Sequence, residues 1–149
     1  MSRLHPWSWC ASIDVKVPAQ TAYEFMSDGQ KQSNWAMYSW NRKHIGENVF
    51  VGQSLFDGTD LYVKPVGRAE LLLVDYYCGT IRGELTWQVE ARIIPGDNVG
   101  LSSRESLINM TTWRSRDMSR DQWELIGNVW EAEIHLIKGL LERENPSSV

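Results

Sequence analysis

The chain is short of cysteine, histidine and positive charge, and each shortage removes a class of function. Two cysteines, Cys10 and Cys78, stand too far apart for a disulfide scaffold, and no paired-cysteine or HExxH spacing offers a zinc site. The three histidines, His5, His44 and His135, are scattered, so no metal is expected and no cofactor is implied. Fifteen Lys and Arg against nineteen Asp and Glu leave a formal net charge of -4. No basic stripe is available to neutralise phosphates, which argues against nucleic acid as a partner. Arg114, Arg116 and Arg120 form the densest positive group, but Asp117 and Asp121 interrupt it, and it reads as a solvated strand-to-helix connection. No apolar run approaches the roughly 20 residues that span a bilayer, and the N-terminus has no signal-peptide core. The expectation is a cytoplasmic protein without membrane insertion; nothing in the sequence signals an oligomeric state.

What is abundant is tryptophan, with eight in 149 residues, at positions 7, 9, 35, 40, 87, 113, 123 and 130. Rings of that size fill a core or line a pocket, and counting does not separate the two uses. An apolar fraction of 42% with 23% charged residues is that of an ordinary globular chain. The length suits one domain, 1–149, with a core of about 7–143.

Alternation from Trp7 to Val17 predicts a half-buried strand, with Trp7, Trp9, Ala11, Ile13, Val15 and Val17 on one face. Pro18 then opens a helix of about nine residues that ends near Asp28-Gly29, and Gln30 to Ala36 supplies a second short helical piece. From Tyr38 to Arg114 strands follow one another, separated by glycine, asparagine and aspartate turns. The clearest strand is Glu84 to Ile94, where Leu85, Trp87, Val89, Ala91 and Ile93 form the expected inner face. Asp57, Asp60 and Asp75 read as solvated turn residues. In Leu101 to Trp113 polar residues fall on both parities, so the pattern leaves open whether Asn109 points in or out.

Ser119-Arg120-Asp121-Gln122 is a capping-box pattern that starts a helix of about 24 residues. Its centre holds an anomaly. At roughly 100° per residue, the surface neighbours of Glu133 are Ile126, Val129, Trp130, Leu136, Ile137 and Leu140, all apolar. Glu124, Asn128, Glu131, His135, Lys138 and Glu142 form the wet face instead. A carboxylate turned toward a core loses hydration, so it finds a partner or its pKa rises.

This order of elements is α+β, a meandering antiparallel sheet with one helix long and apolar enough to cover a face of it. The same order, the opening SIDVKVPAQTAYEFMSD from Ser12 to Asp28 followed by Trp35, the VGQSLF from Val51 to Phe56 and the Trp-bearing last helix resemble the START-like SRPBCC superfamily. That superfamily includes bacterial polyketide cyclases/dehydrases and pollen-allergen-like proteins. The resemblance implies a helix-grip fold, a curved seven-stranded sheet wrapped around the C-terminal helix, with a hydrophobic cavity between them. Its members bind lipids, sterols, polyketides, hormones or alkaloids, and some catalyse cyclisation, dehydration or isomerisation.

Glu133 is therefore the first candidate catalytic group, as general acid, general base or ligand anchor, unless it is a structural carboxylate paired with an inward arginine or tyrosine. Tyr38, Trp40, Arg42 and His44 share one parity. If that face is inward, Arg42 can hold an enolate or carboxylate while His44 or Tyr38 moves protons; if it is outward, the two aromatics are half covered by loops. Trp35, Trp40, Trp87, Trp130, Ile126 and Ile137 are the expected ligand-binding wall, with Trp87 and Trp130 as interior aromatics. The leading expectation is a hydrophobic, aromatic or polycyclic small-molecule ligand, with cofactor-free cyclase, dehydratase or isomerase activity. The alternatives are a non-catalytic carrier or sensor using the same cavity, and a protein-interaction module of the chaperone-activator type.

Overall fold

In a computed structural model, which describes residues 5–146, one antiparallel sheet of seven strands grips a long C-terminal helix. The polar tail expected after Pro146 lies outside the described residues. The strands are β1 (Ser8–Val15), β2 (Trp40–Gly46), β3 (Val49–Gln53), β4 (Asp60–Arg68), β5 (Leu73–Gly79), β6 (Thr86–Pro95) and β7 (Ser106–Trp113). Their spatial order is β1-β7-β6-β5-β4-β3-β2, so β2 to β7 form a meander and β1 pairs with β7 at the far edge. Helix α1 (Ala19–Ser27) and a 3-10 turn (Lys31–Asn34) carry the chain from β1 across to β2. Helix α2 (Arg120–Glu144) covers the inner face.

The ends of α2 are fixed by named contacts. Ser119 accepts a bond from the Gln122 amide while the Gln122 side chain accepts from the Ser119 amide, completing the expected capping box. Near the other end, Glu142 accepts from the Lys16 amide and Lys138 donates to the Asp14 carbonyl, which ties the helix to the end of β1. The apolar stripe then divides in function. Ile137 and Leu141 are fully buried and join Val15, Ile93 and Ile108 in a solid core. Ile126, Trp130 and Glu133, closer to the N-terminal half, stand over a void.

Two strand irregularities decide which side chains reach that void. Along β5 and β6, Tyr76 pairs with Val89 but Tyr77 pairs with Trp87, so Gln88 is an extra residue in β6. The bulge reverses the face of everything before it. Val89, Ala91 and Ile93 point inward as the alternation predicts, whereas Trp87 lies outside and is 47% exposed. Its indole donates to the Asp75 carboxylate at 3.0 Å and its ring meets Trp113 at 4.2 Å. Asp75 is accordingly a buried mid-strand residue on the outer face, paired with Arg68, and not the solvated turn residue expected. Asn109 also faces outward, where it accepts from Ser12.

Along β2 and β3, Trp40 pairs with Gln53 but Lys43 pairs with Val51, which inserts one residue into β2. Asn41 within it has φ 52°, a left-handed conformation that asparagine tolerates. The pairing shifts again between His44 and Gly46.

Candidate functional site

Between the sheet and the first half of α2 lies a cavity of about 340 Å³. Ile126, Trp130 and Glu133 line it from the helix; Leu61, Val63, Tyr76, Cys78, Val89 and Met110 line it from the sheet. Trp35, Ala36, Tyr38 and Arg42 close one side, and Ser54, Asp57, Thr59, Asp60 and Thr80, from the strand ends and loops, also line it. The walls are largely apolar, with a few polar groups converging on them, which is the make-up of a small-molecule site.

Glu133 is 5% exposed. Its Oε2 accepts from the Met37 amide at 3.1 Å, and among the described residues Oε1 has no protein partner. Burial raises the carboxyl pKa to about 8, against the opposing pull of the Met37 bond and the Arg42 charge. At neutral pH the group is mostly an acid with a proton to give.

Arg42 is 6% exposed and sits in the β2 irregularity. Its Nε donates to the Ser39 carbonyl and hydroxyl, both at 3.1 Å; Nη1 donates to the Gly29 carbonyl and to Gln32 Oε1. Burial draws the guanidinium down to about 10, which keeps it charged at neutral pH. Every acceptor it uses is neutral, and among the described residues no carboxylate lies within ion-pair distance.

The perch of Arg42 depends on close approach of backbone. A Cβ on Gly52 of β3 would lie 2.5 Å from the Ser39 carbonyl carbon and 2.6 Å from its oxygen, the atom that receives Arg42 Nε. Gly52→Ala should therefore lower the unfolding free energy by about 1–3 kcal/mol and disturb the cavity wall together with the fold, read by urea denaturation. A wild-type midpoint would refute the close approach.

Tyr38 lines the cavity with its ring 5.1 Å from Phe56, and partial burial followed by the nearby Glu133 and Asp57 charges raises its phenol pKa. Tyr76 is buried and its hydroxyl donates to the Met26 carbonyl, so it anchors α1 to the sheet. Burial pushes the Cys78 thiol up to about 12, which removes it as a nucleophile at neutral pH. Trp35 is 4% exposed, and its indole N–H has no partner among the described residues.

Of the residues expected at a site, Glu133, Arg42, Tyr38, Trp35, Trp130 and Ile126 meet around this cavity. Four do not. His44 is exposed and packs on Phe50 at 5.0 Å; it shares a face with Phe50 and Val63 but lies farther along the edge strand, outside the cavity. Trp40 is half-buried away from the cavity, Trp87 is turned outward by the β6 bulge, and Ile137 belongs to the solid core beyond the void. Gln32, Ser39, Tyr76 and Gln88 were not anticipated. Tyr76 and Cys78 share a parity, a signal hidden because the segment Ala69 to Tyr77 is apolar on both faces.

No protein-family model matches the chain, and no curated protein matches its sequence. Solved structures do match in shape. A START superfamily protein from Mycobacterium smegmatis superimposes with a TM-score of 0.69 at 13% identity, over 93% of this chain and 99% of that one. The Zhui aromatase/cyclase from Streptomyces sp. R1128 gives 0.65 at 14% identity, over 91% and 93%. The Aha1 dimer from Colwellia psychrerythraea gives 0.64 at 11% identity, over 91% and 96%. The chain thus has a START-like SRPBCC helix-grip fold. Among the described residues no helix is long and apolar enough to cross a membrane.

Proposed function

We propose that the protein binds a hydrophobic, aromatic or polycyclic small molecule between its sheet and C-terminal helix and acts on it without a cofactor, by cyclisation, dehydration or isomerisation. One observation carries the reading. A buried carboxyl with a pKa of about 8 lines a cavity of about 340 Å³ and keeps one oxygen free. A group of that acidity can give a proton to a leaving hydroxyl, or in its ionised form take one from carbon, near neutral pH. Arg42 offers positive charge to an enolate oxygen, and Trp35 and Trp130 supply flat apolar surface. The aromatase/cyclase among the matching structures supports this reaction class as an analogy of fold.

The deciding measurement compares Glu133→Gln with wild type on substrates that cyclise or dehydrate. Gln retains the shape and an acceptor oxygen but has no exchangeable acid proton. The expected result is a loss of kcat on the order of 100-fold or more with little change in ligand affinity. Equal turnover in the variant would remove Glu133 from the chemistry. Ligand binding by wild type with no product from any such substrate would leave a carrier.

A further inference from the structure

Arg42 poses a question that the hydrophobic character of the cavity does not answer. A buried guanidinium is costly unless its charge is compensated, and buried cations are ordinarily found with a counter-ion. Here Nε and Nη1 are used on neutral acceptors, Nη2 has no acceptor among the described residues, and Arg42 lines the cavity. Nη2 is not wholly enclosed, and the void beside Arg42 is the cavity that it lines. Glu133 is too far to form an ion pair with Arg42, and in its neutral form it supplies no charge. The missing element is an anion.

We infer that the cavity takes its ligand as an organic anion, with the acidic group of the ligand against Arg42 Nη2 and its rings among the apolar walls. This rests on the reading of the cavity as a ligand site and names the class of ligand. The remaining titratable groups around the cavity are consistent with it. From β5, Tyr76 and Cys78 stay neutral at physiological pH, and Tyr38 ahead of β2 is held above its ordinary phenol value of 10.0. Neither β6, β7 nor 3-10 turn residues in the wall titrate. Asp57 and Asp60 oppose an anion, but both are exposed to solvent at the cavity's edge, where water screens them. Glu133 on α2 is then the one carboxyl whose ionisation inside the cavity would compete for Arg42.

A matched pair of fluorescent probes tests this with the whole chain. 1-Anilinonaphthalene-8-sulfonate and N-phenyl-1-naphthylamine share their rings and differ by one sulfonate, which stays ionised throughout. At pH 6.5 the sulfonate should bind about tenfold or more tightly than the neutral probe, with one site per chain. Arg42→Met should abolish that preference. Raising the pH from 6.5 to 9 should weaken the sulfonate several-fold in wild type, as Glu133 ionises, and leave the neutral probe unchanged; in Glu133→Gln the profile should be flat. If Arg42→Met does not fold by circular dichroism, the Glu133→Gln profile decides alone, and a decline equal to wild type overturns the inference. Equal affinity of the two probes overturns the anion while leaving the cavity a ligand site. Binding of neither probe overturns both readings.

Discussion

Ile137→Ala is expected to lower the unfolding free energy by about 2–5 kcal/mol, the range for truncating a buried isoleucine. Ile137 is fully buried among Val15, Ile93, Ile108 and Leu141, so the removed atoms leave a hole that close-packed neighbours fill only in part. The same truncation at Ile126, on the same stripe of α2, should cost only about 1 kcal/mol. Ile126 is half-buried and lines the cavity, so part of its surface already lacks partner atoms. Ligand affinity should respond in the opposite order, changing with Ile126 and not with Ile137. Urea unfolding and titration of a fluorescent apolar ligand read the two effects separately. Equal stability losses at both positions would mean that the stripe is packed uniformly along its length and that no room exists beneath its first half.

The second large effect is on stability against pH. Glu133 has a pKa of about 8 in the folded protein against an ordinary value of 4.5, so between those limits the folded state binds more protons than the unfolded one. Stability from this group is therefore fully present below about pH 4.5, falls as the pH rises, and is lost above about 8. The fall is on the order of 1 kcal/mol per pH unit through that window. Glu142 works in the reverse sense. Although slight burial raises its pKa, the Lys16 amide and Lys138 outweigh that and lower it, so its contribution is present above its unfolded pKa and lost as pH falls through the folded one. The two windows meet only near pH 4.5, at the acidic edge of the first and the basic edge of the second. Chemical denaturation of wild type and Glu133→Gln from pH 5 to 9 isolates the first: the variant should gain stability relative to wild type with each step upward. Parallel curves would mean that Glu133 is hydrated in the folded protein.

Glu133 was legible from sequence because a helix keeps a constant angular step for as long as its hydrogen bonds continue. Nothing between Ser119 and Asn145 interrupts α2, so an apolar ring of neighbours in the sequence became an apolar environment in space. The strands are different, since one inserted residue reverses all faces beyond it. Trp40 fell out of step with Arg42 because β2 carries an extra residue between Trp40 and Lys43, and His44, though on the face of Phe50 and Val63, lies along the edge strand outside the cavity. Trp87 was assigned inward on an alternation that fails at Gln88. Neither bulge has a glycine at the inserted position to betray it. Asp75 was misread for another reason: an outward strand position can bury a carboxylate when a neighbouring indole and guanidinium lie over it. The fold was therefore recoverable from element order, whereas the wall of the site depended on counts that only pairing partners reveal.

The extra residue in β6 bears on more than the placement of one tryptophan. Were Gln88 paired with Tyr77 in regular alternation, Trp87 would fall opposite Cys78 and its indole would point under the helix, into the space that Gln88 now borders. Hollowness in this fold is thus a matter of phase between two neighbouring strands.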